Sequence, residues 1–368
     1  MATLKYKVGV GGHYTDFNDV VAALVAIGPG GLTDDYEFEF ISNVTNTTAV
    51  SGGVVYLNYH TVKFCSSVPH YGNPTIGNLI TCVTTPTIYT AQPATGRGIL
   101  IFEDLYFKAA PTLGTNVVWF QIAMELFAFL TWKDRKCIIR NCMFDGNGVA
   151  QTALQCASAE YSYWLLSNLK IWGHTGYGLR FGWSGVAPNP GETTKIIENV
   201  TVFNEIGGAT GVYSNGLGDS GGDDTDYKNV ISCRSGVVGT DWYSGMLATR
   251  CVVDNCASSD ATCPVTFGSN NLQNIVTVDE FESLDDTNPD FLSLKKGALA
   301  VNATANPDRG LAPLKVQFGG DIKYVWPAGM QLYNGGAVPS LGVLDIAGTP
   351  YGKYGDYPIG CHNAEIAY

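Results

Sequence analysis

The sequence predicts an all-β chain folded as a right-handed parallel β-helix, a solenoid with an N-terminal capping helix and an irregular C-terminal tail. Three observations predict it: a six-residue motif built around an asparagine, a coil-length spacing between its copies, and many glycines clustered between apolar runs. The motif is clearest in Ile139-Arg140-Asn141-Cys142-Met143-Phe144. Aligned copies lie at 166–171, 197–202, 227–232, 248–253 and 272–277, with an earlier one at 102–107. Asn141, Asn168, Asn199, Asn229 and Asn274 hold the third position, and Asp104 and Arg250 replace Asn in the other two copies. From 141 onward the steps are 27, 31, 30, 21 and 24 residues. Strands kept in register with loops of varying length produce such spacing, whereas a sandwich of antiparallel strands does not return the same Asn at each coil.

Each element then follows in order. DVVAALVAI, Asp19 to Ile27, is amphipathic, with Asp16-Phe17-Asn18 supplying its N-cap and Gly28-Pro29-Gly30-Gly31 its stop. This helix is read as the lid of the first coil, whose open edge needs cover. Residues 1–35 form the cap on this division, 36–298 the solenoid and 299–368 a Gly- and Pro-rich tail or docking module. Strands are expected at 36–41, 53–58 and 99–107, and roughly a dozen coils between about 36 and 280. After each Asn the first and third residues face inward and the second outward. The first inward column reads Leu105, Cys142, Leu169, Val200, Val230, Cys251, Ile275. Cysteine among aliphatics points to buried free thiols at Cys142 and Cys251. The asparagines are read as a turn ladder, because Asn tolerates a left-handed backbone and bonds its stacked neighbours.

Composition bounds the function. Hydrophobic residues make up 45% and charged residues 15%, as in a folded chain. The formal net charge of -12 argues against nucleic acid and against an anionic membrane surface. No run is apolar and long enough for a transmembrane helix, so no membrane insertion is expected. Residues 1–8 carry Lys5 and Lys7 but no apolar stretch, so no secretory signal peptide is expected. None of the ten cysteines forms a C-x₂-C pair, which weakens a zinc reading; disulfides among the rest stay open.

Val8-Gly9-Val10-Gly11-Gly12-His13-Tyr14-Thr15-Asp16-Phe17-Asn18-Asp19 resembles the opening of pectate-lyase-like β-helix proteins. Asp290-Phe291-Leu292-Ser293-Leu294-Lys295-Lys296-Gly297 is similar to their closing segment. So is Leu344-Asp345-Ile346-Ala347-Gly348-Thr349-Pro350 with Ile359-Gly360-Cys361 and Glu365, although Cys361 stands where Ala is usual and Ala298 where Ser is. The resemblance implies the fold. Its members include polysaccharide lyases and hydrolases, phage tailspikes and non-enzymatic virion proteins.

Glu205, His174 and Asp223 are the candidate acid–base groups, Glu205 and His174 lying on neighbouring coils. The acidic run holding Asp219, Asp223, Asp224 and Asp226 is a loop candidate for Ca²⁺, against the plainer reading of a solvated turn; no cofactor is required. Asp145 and Asp254 hold matching places four coils apart, about 19 Å by strand spacing, too far for a catalytic pair. Trp172, Trp183, Trp242 and Tyr243 are candidate contacts for a glycan or a protein. Three functions compete: a virion structural protein, such as a capsid decoration, head fibre or tail-associated β-helix; a tailspike-type glycan depolymerase; a bacterial adhesin. Lysis frees virion proteins without a signal peptide, and the motif starting by Val8 leaves little room for a tailspike's head-binding domain. A homotrimeric phage structural protein on the virion surface, touching other virion proteins and host glycan, is the favoured expectation.

Overall fold

The computed structural model describes residues 3–47, 53–70, 72–91, 98–122, 135–158, 162–183, 193–214, 223–243, 251–254, 256–268, 271–292, 314–318 and 321–325. The chain winds as a parallel β-helix with three walls. The first wall stacks Thr3–Val8, Asp35–Phe40, Thr61–Ser66, Gly98–Glu103, the first halves of Arg135–Asp145, Ser162–Trp172, Thr193–Asn204 and Asp223–Arg234, and then Cys251–Asp254. The second wall takes Val44–Asn46, Leu79–Cys82, Tyr106–Ala109, the second halves of the same four long strands, and Ala257–Ser258. The third runs from Val54–Tyr56 through Thr87–Ala91, Asn116–Ile122, Thr152–Ser158, Tyr177–Trp183 and Thr210–Ser214 to Thr240–Trp242. Every pairing in these walls is parallel. Nine rungs are described in the first wall rather than a dozen, and the first already lies at Thr3–Val8, inside the segment assigned to the cap.

The corner between the first two walls is made by the asparagines. Asp104, Asn141, Asn168, Asn199 and Asn229 all have φ between 54° and 58°. That left-handed backbone costs an ordinary L-residue about 1–2 kcal/mol, and Asn and Asp tolerate it. Their side chains join head to tail. Asn168 Nδ2 donates to Asn141 Oδ1 at 3.0 Å, Asn199 to Asn168 at 3.2 Å and Asn229 to Asn199 at 3.1 Å. Asn141 in turn bonds the Asp104 carboxyl, whose burial pushes its pKa up to about 7. Asn274 shares the φ, at 59°, but not the ladder: Leu272, two residues earlier, is the one beside Ala257. Position 250 is also out of register. Cys251 pairs with Thr225 and Asp254 with Lys228, so Cys256 stands opposite Val230 and fills the inward column. The matching motif is therefore Val253-Asp254-Asn255-Cys256. Asp254 precedes its corner while Asp145 follows its own, so the two do not hold matching places.

Stacking in register lines the bore with aromatic columns. Phe38, Phe64 and Phe102 sit one above another on the first wall, with centroids 5.4 and 5.1 Å apart, and Phe120 of the third wall meets Phe102 across the bore at 4.0 Å. The helix Phe17–Ala26 lays Phe17, Val20, Val21 and Leu24 over them, and Phe17 reaches Phe64 at 4.9 Å. Asp16 is its N-cap, accepting from Asp19 N at 2.9 Å. At the far end Asn271 closes the last rung, accepting from Cys256 N at 2.8 Å and donating to Val253 O at 2.6 Å.

Eight cysteines are described and all are free; Cys142 and six others are buried. The side chain of Cys251 and all of Cys361 lie outside the described residues. Thiol titration of denatured protein without reductant is expected to find at least eight groups per chain, nearly all silent before unfolding. The ladder gives a second expected outcome. Asn199→Gly loses two side-chain bonds, about 1–3 kcal/mol at 0.5–1.5 each, and Asn199→Ala loses a further 1–2 kcal/mol or so to strain, read by chemical denaturation. Equal losses from the two variants would remove the left-handed corner as the cause.

Candidate functional site

Alternation along the second wall turns two rows of side chains outward. One reads Leu79, Tyr106, Met143, Lys170, Thr201, Ile231, Ala257. The other reads Lys108, Asp145, Trp172, Phe203, Cys233. Both rows are largely apolar, and the chain covers them itself. Beyond the last coil, residues 276–292 run back as a strap that lays Phe281, Phe291 and Leu292 on Tyr106, Met143, Trp172, Phe203 and Ile231 in a second hydrophobic cluster outside the bore. Lys170 pins this cover. Fully buried, its Nζ donates to Phe291 O of the strap and to Gly72 O of the 67–78 loop, each at 2.6 Å, and lies 5.3 Å from the Phe291 ring centroid.

Carboxylates gather at the edge of the strap. Asp145, almost fully buried, pairs with Lys108 Nζ at 2.6 Å and accepts from Asn147 N at 2.6 Å and Tyr106 Oη at 3.4 Å. Burial raises its pKa against the pull of Lys108. Asp286 accepts from Trp172 Nε1 at 3.4 Å. Glu205 is exposed on the turn after its strand, and its pKa is raised by partial burial and then by the negative charges of Asp286, Asp145 and Asp285. A carboxyl among carboxylates holds its proton to higher pH than usual, which is the property a general acid needs.

Of the other candidates, His174 is fully buried, and burial pushes its pKa down to about 3 against the Thr210 backbone. Neutral and enclosed, it is a core residue, not a proton shuttle on the surface. The acidic run is not a single loop. Asp223 to Asp226 open the strand Asp223–Arg234 rather than lying in a loop. Asp226 stands 3.4 Å from Lys228 Nζ; Asp219 and the side chains of Asp223 and Asp224 lie outside the described residues. Among the described residues no three His, Cys, Asp or Glu side chains converge as metal ligands.

Two of the four candidate aromatics are buried. Trp172 is 1% exposed, edge-on to Phe291 at 5.2 Å under the strap. Trp242 is in the bore against Tyr227, its Nε1 donating to Ala257 O at 3.3 Å. Neither is a surface contact. Tyr243 is partly exposed, and the Trp183 side chain lies outside the described residues.

One polar knot carries no signal in the sequence. Arg234 Nε meets Asp241 Oδ1 at 3.1 Å and its Nη2 meets Asp260. Asp241 Oδ2 also accepts from Ser259 N at 2.6 Å and Ser259 Oγ at 2.7 Å, and burial carries its pKa up to about 6. These residues come from consecutive coils, so only the fold joins them.

Fold and site together define a parallel β-helix with one outer wall sealed by its own chain. No family model, no curated protein and no solved structure matches it.

The buried titratable groups set opposing pH dependences. His70 and His174 both have folded pKa values pushed down to about 3 from 6.5, so the stability they give is present above pH 6.5 and is lost as pH falls toward 3. Asp104, raised to about 7 from 3.8, acts in the opposite sense: its contribution is complete below 3.8 and is lost as pH rises through 7. His174→Leu is expected to lose less stability than wild type as pH falls below 6.5, and Asp104→Asn to lose less than wild type as pH rises from 3.8 to 7, measured by urea unfolding. Unchanged pH profiles in both variants would show that these groups titrate normally.

Proposed function

We propose that the chain is a structural β-helix of the virion-surface type, a phage capsid decoration, head fibre or tail-associated protein acting as a stiff, non-catalytic rod. The observation that carries this is the sealed second wall. Side chains that an enzyme of this shape would turn to a substrate are spent inside the molecule: Lys170 on two backbone carbonyls, Asp145 on Lys108, Trp172 on Asp286. The acidic balance suits solubility and contact with cationic or neutral partners rather than nucleic acid. A homotrimer on the virion surface, contacting other virion proteins and host glycan, completes the proposal; no metal is needed for it.

One observation favours a second function, glycan hydrolysis of tailspike type. Glu205 stands on the surface, with its pKa raised by partial burial and then by the charges of Asp286, Asp145 and Asp285. In most glycosidases one carboxyl is kept protonated beside another that is ionised. The two proposals separate in a reducing-sugar assay on a panel of host polysaccharides, run beside a native mass measurement. The expected result is a trimer mass and no release above the protein-free blank. Cleavage that falls about 10²–10⁴-fold in Glu205→Gln would replace the rod with the hydrolase.

A further inference from the structure

The polar knot around Arg234 forms the floor of a cleft of about 490 Å³. Val237, Val276 and Val278 line it together with Ser259 and Asp260. Val276 and Val278 are 54% and 51% exposed, and Val238, next in the chain, is 83% exposed. Scattered apolar residues on a surface need no explanation, but several gathered in one concavity do. A residue that only stitches the strap down would be turned inward, as Ile275 and Phe281 beside these valines are.

Charge selects among occupants. The cation lining this cleft, Arg234, is bound by Asp241 and Asp260, and exposed Asp279 follows Val278 directly. Within the lining Arg234 is matched by Asp260; buried Asp241 behind it and exposed Asp279 beside it make the surroundings of the cleft negative, on a chain that is already at -12. A second copy presenting the same face would set like charge against like. An acidic or phosphorylated partner is disfavoured for the same reason. A free sugar would find no aromatic side chain among the residues that line it.

We propose that this cleft docks a basic polypeptide segment of another protein, an aliphatic side chain entering between Val237, Val276 and Val278 while flanking Lys or Arg side chains meet Asp260 and Asp279. Aliphatic burial supplies affinity, and the carboxylates supply steering and partner choice. The proposal rests on the cleft alone, so its failure leaves the rod, tested by polysaccharide turnover, untouched.

The test uses the full chain and three labelled peptides read by fluorescence anisotropy: alternating Lys-Leu, alternating Lys-Ser and alternating Glu-Leu. The Lys-Leu peptide is expected to bind, Lys-Ser about tenfold more weakly and Glu-Leu not at all. Val276→Ser with Val278→Ser is expected to weaken Lys-Leu binding about tenfold at an unchanged melting temperature. Asp279→Asn is expected to flatten the salt dependence. Lys-Ser binding as tight as Lys-Leu would reduce the effect to net charge and overturn the proposal. So would Glu-Leu binding, no Lys-Leu binding, or an unchanged affinity in the valine variant. Light scattering that shows self-association lost in the valine variant would give the cleft to a second copy instead.

Discussion

One constraint organises the molecule: five successive coils, from Asp104 to Asn229, turn their first corner through a residue in the left-handed region. A corner there bends a continuous strand without a loop, so first and second walls share hydrogen-bonded registers from rung to rung. Only Asn, Asp and Gly occupy that region cheaply, and Asn alone also offers both a donor and an acceptor to its neighbours above and below. The ladder therefore does two things with one side chain. It relieves strain, and it makes a one-residue slip costly, since a slip would move a non-Asn residue into the corner and every inward side chain to the outside. Asp104 can only accept when ionised, which suits the end of a ladder whose amides all donate toward it.

The same alternation that fills the bore creates the second problem. Whatever is placed between inward residues must point out, and here the second wall points out Tyr106, Met143, Trp172, Phe203 and Ile231. Left bare, that strip would be a contiguous apolar patch. The strap and the 67–78 loop remove it from water, at the cost of burying a lysine. Lys170 is accommodated by a charge-assisted pair of bonds to two backbone carbonyls.

This division explains what was legible in the sequence. Corner asparagines, the inward column and the capping helix each depend on residues close in the chain, and local pattern carries them. The strap does not. Lys170 reaches partners 98 and 121 positions away, and no periodicity announces that contact. Trp172 was therefore correctly an outward residue and yet not a surface one: alternation tells which side of a sheet a side chain takes, not whether another segment lies over it. Trp242 failed for a different reason, since its strand is three residues long and too short to show a period. The slip at 250 arose because Arg250-Cys251 and Asn255-Cys256 offer the same polar-then-Cys pattern five residues apart, and composition alone does not choose between them. Glu205 was picked out by position, while the Asp285 and Asp286 that surround it come from the strap and were invisible until it folded back.

The ends of the solenoid decide where it can meet anything else. A parallel stack exposes one open strand edge at each end, and such edges template further strands. At the first rung exposed Lys5 and Lys7 stand on the edge strand, and the 9–14 turn folds back over it: His13 Nδ1 accepts from Lys7 N at 3.0 Å, and Lys7 O accepts from His13 N at 2.8 Å. At the last rung Asn271 and the Phe267 carbonyl take the groups of Val253. At each end, part of the open edge is thus already bonded within the chain. The outer face of the strap carries exposed Val276 and Val278, and these valines adjoin the Arg234–Asp241–Asp260 knot. Sealing the wall thus does not abolish a contact surface; it replaces a broad greasy strip with a narrow acidic cleft, which discriminates among partners by charge as the strip beneath it could not.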